Sequence, residues 1–595
     1  MASGGMMEKI SDDPEFIYMT DNTLKYINKN HKKVMAKMYD YKCDIKLKVG
    51  DAKFKAHKDV LSEASDYFGA MFSVDMRERE QKEIEIFEIS PHGFSALLDY
   101  FYHGRVSISP DNIEDVIEAA RFLHVEWILE VSCDFLVRHL SLENYDTVLH
   151  LADFYSLGDL RWDISRFLGE NLTTLIEEPR FYQNLSFELL LNFLKENIYV
   201  EMSEGYILKI VLDWVHENYD ARQKYLPRLL EHVRMGMLEL EELDRLPDEV
   251  LDIPEVSKEV DEARRYICSM TTQSLYTSKK YLPRGSRKVL TIMAASEEAN
   301  GTIVLYRDAK TPGICQEELS PRGLDTEVEF TSQATIGNFL YIAGGYDHQY
   351  CSSNRLFRFD PRYRDWVELT PLLQKRVSFA MCSSDTALFA IGGIHHMIHG
   401  EDDEEIILSS VEMYEPEENC WKPLSPLPHG SYDQAAAFVS GSLYVSGGIS
   451  SDPVDPVPLN YFYRLKVDGG TWQPLPSMLH NRQGHSMTPV NGKLIVIGGR
   501  TAHDVATISD CLANEMYDLA THQWTEITPT PPDIGHIFRY VDILDGKIAF
   551  LASHDGHQYI YFYDTEKGKI EPGDYCGREY TRVTTLQVSY PSAQI

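Results

Sequence analysis

YIAGGY (Tyr341–Tyr346), followed by RLFRFDPRYRDWVEL (Arg355–Leu369), decides the fold of the second half of this chain. An apolar run ends in two glycines. A polar stretch follows, then an aromatic residue, the pair Asp360-Pro361 and a lone tryptophan. The apolar run reads as a short inner strand. The glycines mark a place where a side chain would block close backbone approach. The second stretch reads as strand, turn, strand, and Phe359 and Trp366 are expected to stack between neighbouring sheets. The same grammar recurs. Glycine pairs begin at Gly344, Gly392, Gly447 and Gly498, at intervals of 48, 55 and 51 residues. Each precedes a tryptophan (Trp366, Trp421, Trp472, Trp524), and an aromatic stands seven or nine positions before it (Phe359, Tyr414, Tyr463, Tyr517).

A period near 50 with this content resembles the kelch repeat, one blade of a β-propeller. Two fainter copies flank the four. Ala294-Ala295-Ser296 and Ala552-Ser553 stand where glycine pairs would fall, and Tyr563 is followed by Ile570 at the tryptophan position. The expectation is six blades over about 286–590, with five or seven as alternatives. The terminal run EYTRVTTLQVSY is expected to complete the first blade's sheet and so remove exposed edges.

At 595 residues the chain has room for two to four domains, and 43% hydrophobic and 11% aromatic residues are globular values. A net charge of −35 argues against nucleic acid or anionic membrane as partner, because such binders must neutralise phosphate. It is compatible with basic protein partners and equally with plain solubility. Nine scattered cysteines without a CxxC pair support neither structural zinc nor a disulfide framework. A reducing compartment fits best. With no signal-peptide core and no run of 18 apolar residues, the expected location is cytoplasmic, with the nucleus as a further place.

Upstream of about residue 270 the period changes from 2 to 3.6. Ile45, Leu47 and Val49 alternate with lysines, Gly50-Asp51 turns the chain, and Phe54 begins a second strand. DVLSEASDYFGAMF has helical spacing, IEIFEI is a third strand, and amphipathic helices follow. Cys43-Asp44, Ala56-His57-Lys58, Ser65-Asp66-Tyr67-Phe68 with Met71-Phe72, and LDYFYHG (Leu98–Gly104) together resemble the BTB/POZ fold. SLENYDTVLHLADFYSLGDLRWDISRFLGENL, and Tyr206–Leu238 with its Trp214 helix, resemble the BACK domain. In this order the three segments cover nearly all of the chain, which is similar to kelch-like proteins. The fold class expected is a BTB/POZ α/β domain (21–140) behind a flexible N-terminus (1–20), an all-α BACK domain (141–270), a polar, basic linker (271–287) and a six-bladed kelch β-propeller (288–595).

The resemblance implies a homodimer through the BTB domain. A helix over Leu24–Met38 would exchange between chains, with Leu24, Ile27, Val34, Met38 and Asp44 as interface candidates. It implies a substrate-recognition adaptor of a cullin-3 ubiquitin ligase, whose BTB and BACK domains hold cullin-3 while the propeller holds the protein substrate. The hydrophobic-x-Glu motif is Met76-Arg77-Glu78, with Phe72 and Tyr102 as neighbours and Leu142 to Leu160 as a second cullin surface. The substrate candidates lie in the loops after each tryptophan strand: Arg376, Ser378, Tyr432, Asp433, Arg482, His536 and Arg539. In such propellers Arg376 and Arg482 can meet acidic substrate segments, or can be structural. The alternative function is a non-enzymatic cytoskeletal scaffold or actin-binding dimer.

The absence of a Ser-His-Asp motif, a GxGxxG before a helix and a P-loop leaves no catalytic residue and no cofactor to assign. HHMIHGEDDEE (His395–Glu405) gathers histidines and carboxylates, but reads as a solvated loop extension rather than a metal site.

Overall fold

The computed structural model describes residues 15–18, 24–27, 43–73, 76–177, 181–195, 200, 202–294, 303–306, 317–319, 331–347, 350–363, 365–399, 402–450, 457–502, 508–555, 557–577 and 580–589. They form two compact units, Met1–Phe193 and Leu194–Ile595.

In the first unit Ile45–Val49 lies between Ala52–Ala56, antiparallel, and Glu83–Ile86, parallel. Ile45, Leu47 and Val49 are buried, as the alternation requires. Gly50 turns the hairpin at φ +54. Five helices cover the sheet: Lys58–Ala64, Asp66–Met71, Pro91–His103, Ile113–Phe122 and Glu126–Arg138. Ser65 caps the second by accepting from Phe68 N and ties it to the fourth by donating to Leu123 O.

The expected helix over Leu24–Met38 is not formed at its start. Leu24–Ile27 is a strand between Glu15–Tyr18 and Arg105–Ile108, with Leu24 opposite Ile108 and Ile27 opposite Arg105. The reason is that the edge of Arg105–Ile108 needs a backbone partner. Tyr26 can supply one while burying its ring fully and donating its hydroxyl to Asp134. Glu15–Tyr18 also lies within the stretch expected to be flexible. Val34 and Met38 fall outside the described residues.

The second unit opens with the later helices, including Glu204–Glu217 and Pro254–Cys268. The stretch expected as a linker is packed. The Arg284 guanidinium makes a buried bidentate pair with Glu204 and donates to the carbonyls of Leu194 and His232. Gln273 Oε1 accepts from Arg358 at 3.0 Å and Arg362 at 3.2 Å. Those arginines also reach the Met270 carbonyl and the Tyr266 hydroxyl, and Tyr341 donates to Ser274 at 2.8 Å. The second blade, Thr331–Leu369, is thereby clamped to the last helix and to the segment that follows it.

Among the described residues are six four-stranded antiparallel sheets. Strands are lettered a to d from the inside outward. The innermost strands are Tyr580–Ser589, Thr331–Ile336, Ala380–Ser383, Ala435–Val439, Ser486–Val490 and Ile537–Leu544. The chain's last strand pairs with Ser286–Ala294, completing the first blade as expected. The first blade meets the second through Gln333 Nε2 donating to Val583 O and Arg582 donating to Thr331 O. Apolar clusters lie between successive blades. The tryptophans face these seams. Trp421, Trp472 and Trp524 donate their indole N–H to Thr370, Ser425 and Pro476 carbonyls of the preceding blade. Three of the repeated aromatic–tryptophan pairs share one tilted geometry, with ring centroids 5.2, 5.3 and 5.1 Å apart for Phe359–Trp366, Tyr414–Trp421 and Tyr517–Trp524.

Both glycines of each pair have positive φ. That turn aims the second N–H at the adjoining loop: Gly345 donates to Arg376 O, Gly393 to Ser431 O and Gly448 to Arg482 O. The sixth blade has no such turn. Its b and c strands run on through Ala552-Ser553 as one hairpin to His554 opposite His557, so no glycine pair is needed there.

Candidate functional site: two docking surfaces

The first surface is built on the helix start at His57-Lys58. Asp44, exposed at the head of the first strand, accepts the Lys58 N–H at 3.0 Å and fixes this start. Tyr102 Oη accepts the His57 N–H at 2.9 Å and lies 2.8 Å from His57 Nδ1. Lys58 Nζ donates to Arg79 O at 2.5 Å and Gln81 O at 2.8 Å. It also stands 5.5 Å from the Phe72 ring. Phe72 in turn stacks on buried Phe68. Lys58 therefore pins the turn whose first residue is Met76 and whose 3-10 helix is Arg77–Glu80. Met76 is 47% exposed, an apolar side chain held out on a tied turn. The Glu78 carboxylate and, above all, burial push the Tyr67 phenol above its usual range. The four residues expected here, Phe72, Met76, Glu78 and Tyr102, are thus brought together. What holds them, His57 and Lys58, was visible in sequence only as part of the BTB likeness.

The second surface is the propeller face where the loops entering a strands meet the loops after the glycine pairs. Val377 pairs with Ile394, Ser431–Tyr432 with Ile449–Ser450, and Gln483 with Arg500, so both loop sets share this face. Arg376 and Arg482 do not present themselves here. Each is 0% exposed. Arg376 donates to Gly392 O and Ser410 and pairs with Glu412. Arg482 donates to Gly498 O and Ala513 O and pairs with Glu515. The expectation that they meet a substrate is corrected. An unpaired guanidinium in a blade interior costs several kcal/mol, so each is folded onto a carboxylate of its own blade.

Ser378 and Asp433 line the channel mouth. They share a left-handed backbone with Gly484 (φ +51, +55, +63). Asp433 N donates to Ser378 O and Gly484 N to Asp433 O, stringing three blades together. The Arg539 guanidinium reaches across from the sixth blade. It donates to Phe379 O at 2.9 Å and Gln434 O at 3.4 Å, and lies 3.5 Å from the Asp433 carboxylate. Burial pushes the Asp433 carboxyl up, opposed by Arg539 and Arg500. Below lies a polar channel cavity of about 290 Å³ touched by all six a strands. His485 lines it, buried, with Nε2 2.9 Å from Ser446 Oγ. Burial and the nearby Arg482 and Arg539 charges hold it well below the usual imidazole range. Tyr432 and His536 sit on the rim, His536 paired with Asp510 at 3.0 Å. No cluster of metal-ligating side chains occurs among the described residues. Within the stretch expected as a solvated extension, Ile394–His399 and Asp402–Ile407 are instead paired as antiparallel strands.

Family comparisons match the same segments. A BTB/POZ domain model covers residues 35–140, a BACK (BTB And C-terminal Kelch) model 147–247, and an Attractin/LZTR1 β-propeller model 330–542. The chain is 27% identical to Kelch-like protein 36 of Mus musculus over 95% of its length and 92% of the relative's. It is 26% identical to Kelch-like protein 15 of Homo sapiens (89% and 90%) and to Kelch-like protein 26 of Danio rerio (89% and 87%). Proteins of this domain order serve generally as substrate adaptors, their domains adaptor-type rather than catalytic. The chain thus carries BTB, BACK and β-propeller domains in that order and is similar to kelch-like proteins.

Proposed function

We propose that this chain is a homodimeric adaptor that brings protein substrates to a cullin-3 ubiquitin ligase in the cytoplasm, with the nucleus as a further location. The observation that carries this reading is the Met76 turn: an exposed methionine and a glutamate two residues on, fixed by Lys58 beside Phe72 and Tyr102. Met76 would enter an apolar pocket on cullin-3 and Glu78 would pair with the start of a helix. Leu142, Phe154 and Trp162, exposed apolar side chains at the start of the BACK helices, extend the apolar supply. The propeller mouth, with Ser378, Tyr432, Asp433, His536 and Arg539, would hold the substrate. Catalysis belongs to other subunits, and the adaptor contributes proximity, which makes transfer effectively intramolecular.

Co-purification with cullin-3 tests this. Met76→Ala with Glu78→Ala should abolish capture while moving thermal stability by less than about 1 kcal/mol, since Met76 is exposed and Glu78 only half-buried. No cullin-3 with the wild-type chain, or capture unchanged in the double variant, would sink it. Co-sedimentation with actin filaments instead would point to a scaffold.

A further inference from the structure

The extension after Gly393 is a hairpin of Ile394–His399 against Asp402–Ile407. Residues directly opposite share one side of such a ribbon, and successive residues alternate. His396 faces Glu405, so imidazole and carboxylate lie on one side, while Met397 and Glu404 lie on the other. The His396 side is fastened to the second blade. His396 N donates to Ser352 Oγ at 2.7 Å, Ser352 N donates back to His396 O at 3.1 Å, and His396 Nδ1 is 3.0 Å from Tyr350 O. Tyr346 meets the His396 ring edge-on at 5.9 Å, and Tyr350, 55% exposed, is 6.4 Å from Tyr346. Burial first, then the Glu405 charge, raises the Tyr346 phenol, and burial, Asp433 and Glu405 in that order raise that of Tyr432.

We propose that Tyr346, Tyr350, His396 and Glu405 form a seat for a lysine or arginine side chain of the bound protein segment, so that this propeller selects basic rather than acidic substrates. The inference rests on the propeller loops being where substrate is held. Ring faces attract cations, and a carboxylate at their edge adds a charge-assisted hydrogen bond. Three of the guanidinium groups that would have favoured an acidic segment are withdrawn, and a fourth, Arg500, half-exposed, lies 3.7 Å from Asp510. Arg376 and Arg482 are sealed in their blades, and Arg539 is engaged with Phe379 O and Asp433. The Lys375 charge acts on His395, which points to the opposite side of the ribbon from His396.

The test uses the full chain and two fluorescein-labelled decapeptides, one alternating glycine with arginine and one alternating glycine with glutamate, followed by anisotropy at physiological salt. The arginine peptide should bind more tightly. Glu405→Gln and Tyr346→Leu should each weaken it about five-fold or more. Glu417→Gln, an equal charge change in the exposed c–d turn of the same blade, should change it less than about 1.5-fold. Tighter binding of the glutamate peptide would overturn the proposal, as would a Glu417→Gln effect equal to that of Glu405→Gln, which would mean bulk attraction only. Cullin-3 capture by the same preparations separates the two readings. Capture retained with no arginine-peptide binding removes the seat and leaves the adaptor, while binding without capture removes the adaptor and leaves the seat.

Discussion

The loops entering the third, fourth and fifth blades follow one path with different side chains. In the third and fifth, Arg376 and Arg482 are spanned onto Glu412 and Glu515, which also accept the N–H groups of Leu373 and Gln374, and of Leu479 and His480. In the fourth the same place is Ser431, whose carbonyl accepts from Gly393 just as those of Arg376 and Arg482 accept from Gly345 and Gly448. Tyr461 stands there in place of the glutamate, its phenol pushed up by burial with the Ser431 hydroxyl beside it. The difference teaches that the backbone bond sets the path of the loop. The side chains beneath it can be an ion pair or two neutral hydroxyls. A charge that recurs in register is therefore part of the construction.

The largest effect should come from breaking one of these ion pairs. Arg482→Ala leaves the Glu515 carboxylate buried without its partner and should cost the propeller about 3–5 kcal/mol. Arg376→Ala should cost about as much. The double variant Arg482→Ala/Glu515→Ala should cost clearly less than the two single changes added together. Ser431→Ala and Tyr461→Phe remove only neutral groups and should each cost about 1 kcal/mol. Urea titration of the propeller's own transition measures all of these. Equal costs for Arg482→Ala and Ser431→Ala would break the comparison.

The next effect isolates the shared backbone. Gly448 has φ +89, and a Cβ there would stand 2.6 Å from Tyr432 O, whereas Gly492 has φ +76 with open space around it. Gly448→Ala should cost about 2–3 kcal/mol, strain plus clash, and Gly492→Ala about 1 kcal/mol, strain alone. Parity between the two, measured in the same titration, would mean that the adjoining loop yields freely and does not fix the path.

How far the sequence was legible follows from the same contrast. Glycine pairs, aromatics and tryptophans announced the blades because each is required by geometry that repeats: a left-handed turn, an inter-blade seam, an indole N–H seeking the previous blade's carbonyl. Arg376 and Arg482 misled because an arginine in a loop looks exposed. Its acid partner lies 36 residues away at Glu412, or 33 away at Glu515, and only the fold brings them together. The signal was present all the same, since both arginines precede an acid two residues before the blade's tyrosine, as Glu412-Met413-Tyr414 and Glu515-Met516-Tyr517. Leu24–Ile27 was misread because a short amphipathic stretch fits both periods, and only the unpaired edge of Arg105–Ile108 decides for strand. Gln273 and Arg284 read as polar linker because their burial depends on Arg358, Arg362 and Glu204, distant in sequence.

The smallest effect concerns the residue just before each a strand, Phe379, Gln434 and His485 in the three blades. Only the fifth blade carries a titratable group there. His485 is buried between Ser446 and the channel, and its folded pKa lies well below the ordinary imidazole value. Below about pH 6.5 the unfolded chain therefore binds a proton at this site that the folded chain refuses. Its contribution to stability is whole above that pH and is lost progressively as pH falls toward the folded value, at a slope of up to about 1.4 kcal/mol per pH unit. His485→Gln, which installs the residue the fourth blade already uses, should remove that part of the slope. Asp433 titrates in the opposite sense, because its raised carboxyl takes up a proton earlier in the folded state. It is present in both proteins, so the difference between wild type and variant isolates the imidazole. Denaturant midpoints between pH 7.5 and 5 should converge as pH rises and separate on acidification, with the variant the more resistant. Curves that stay parallel would mean that the fifth blade tolerates a charged His485, and that the three positions are electrostatically alike.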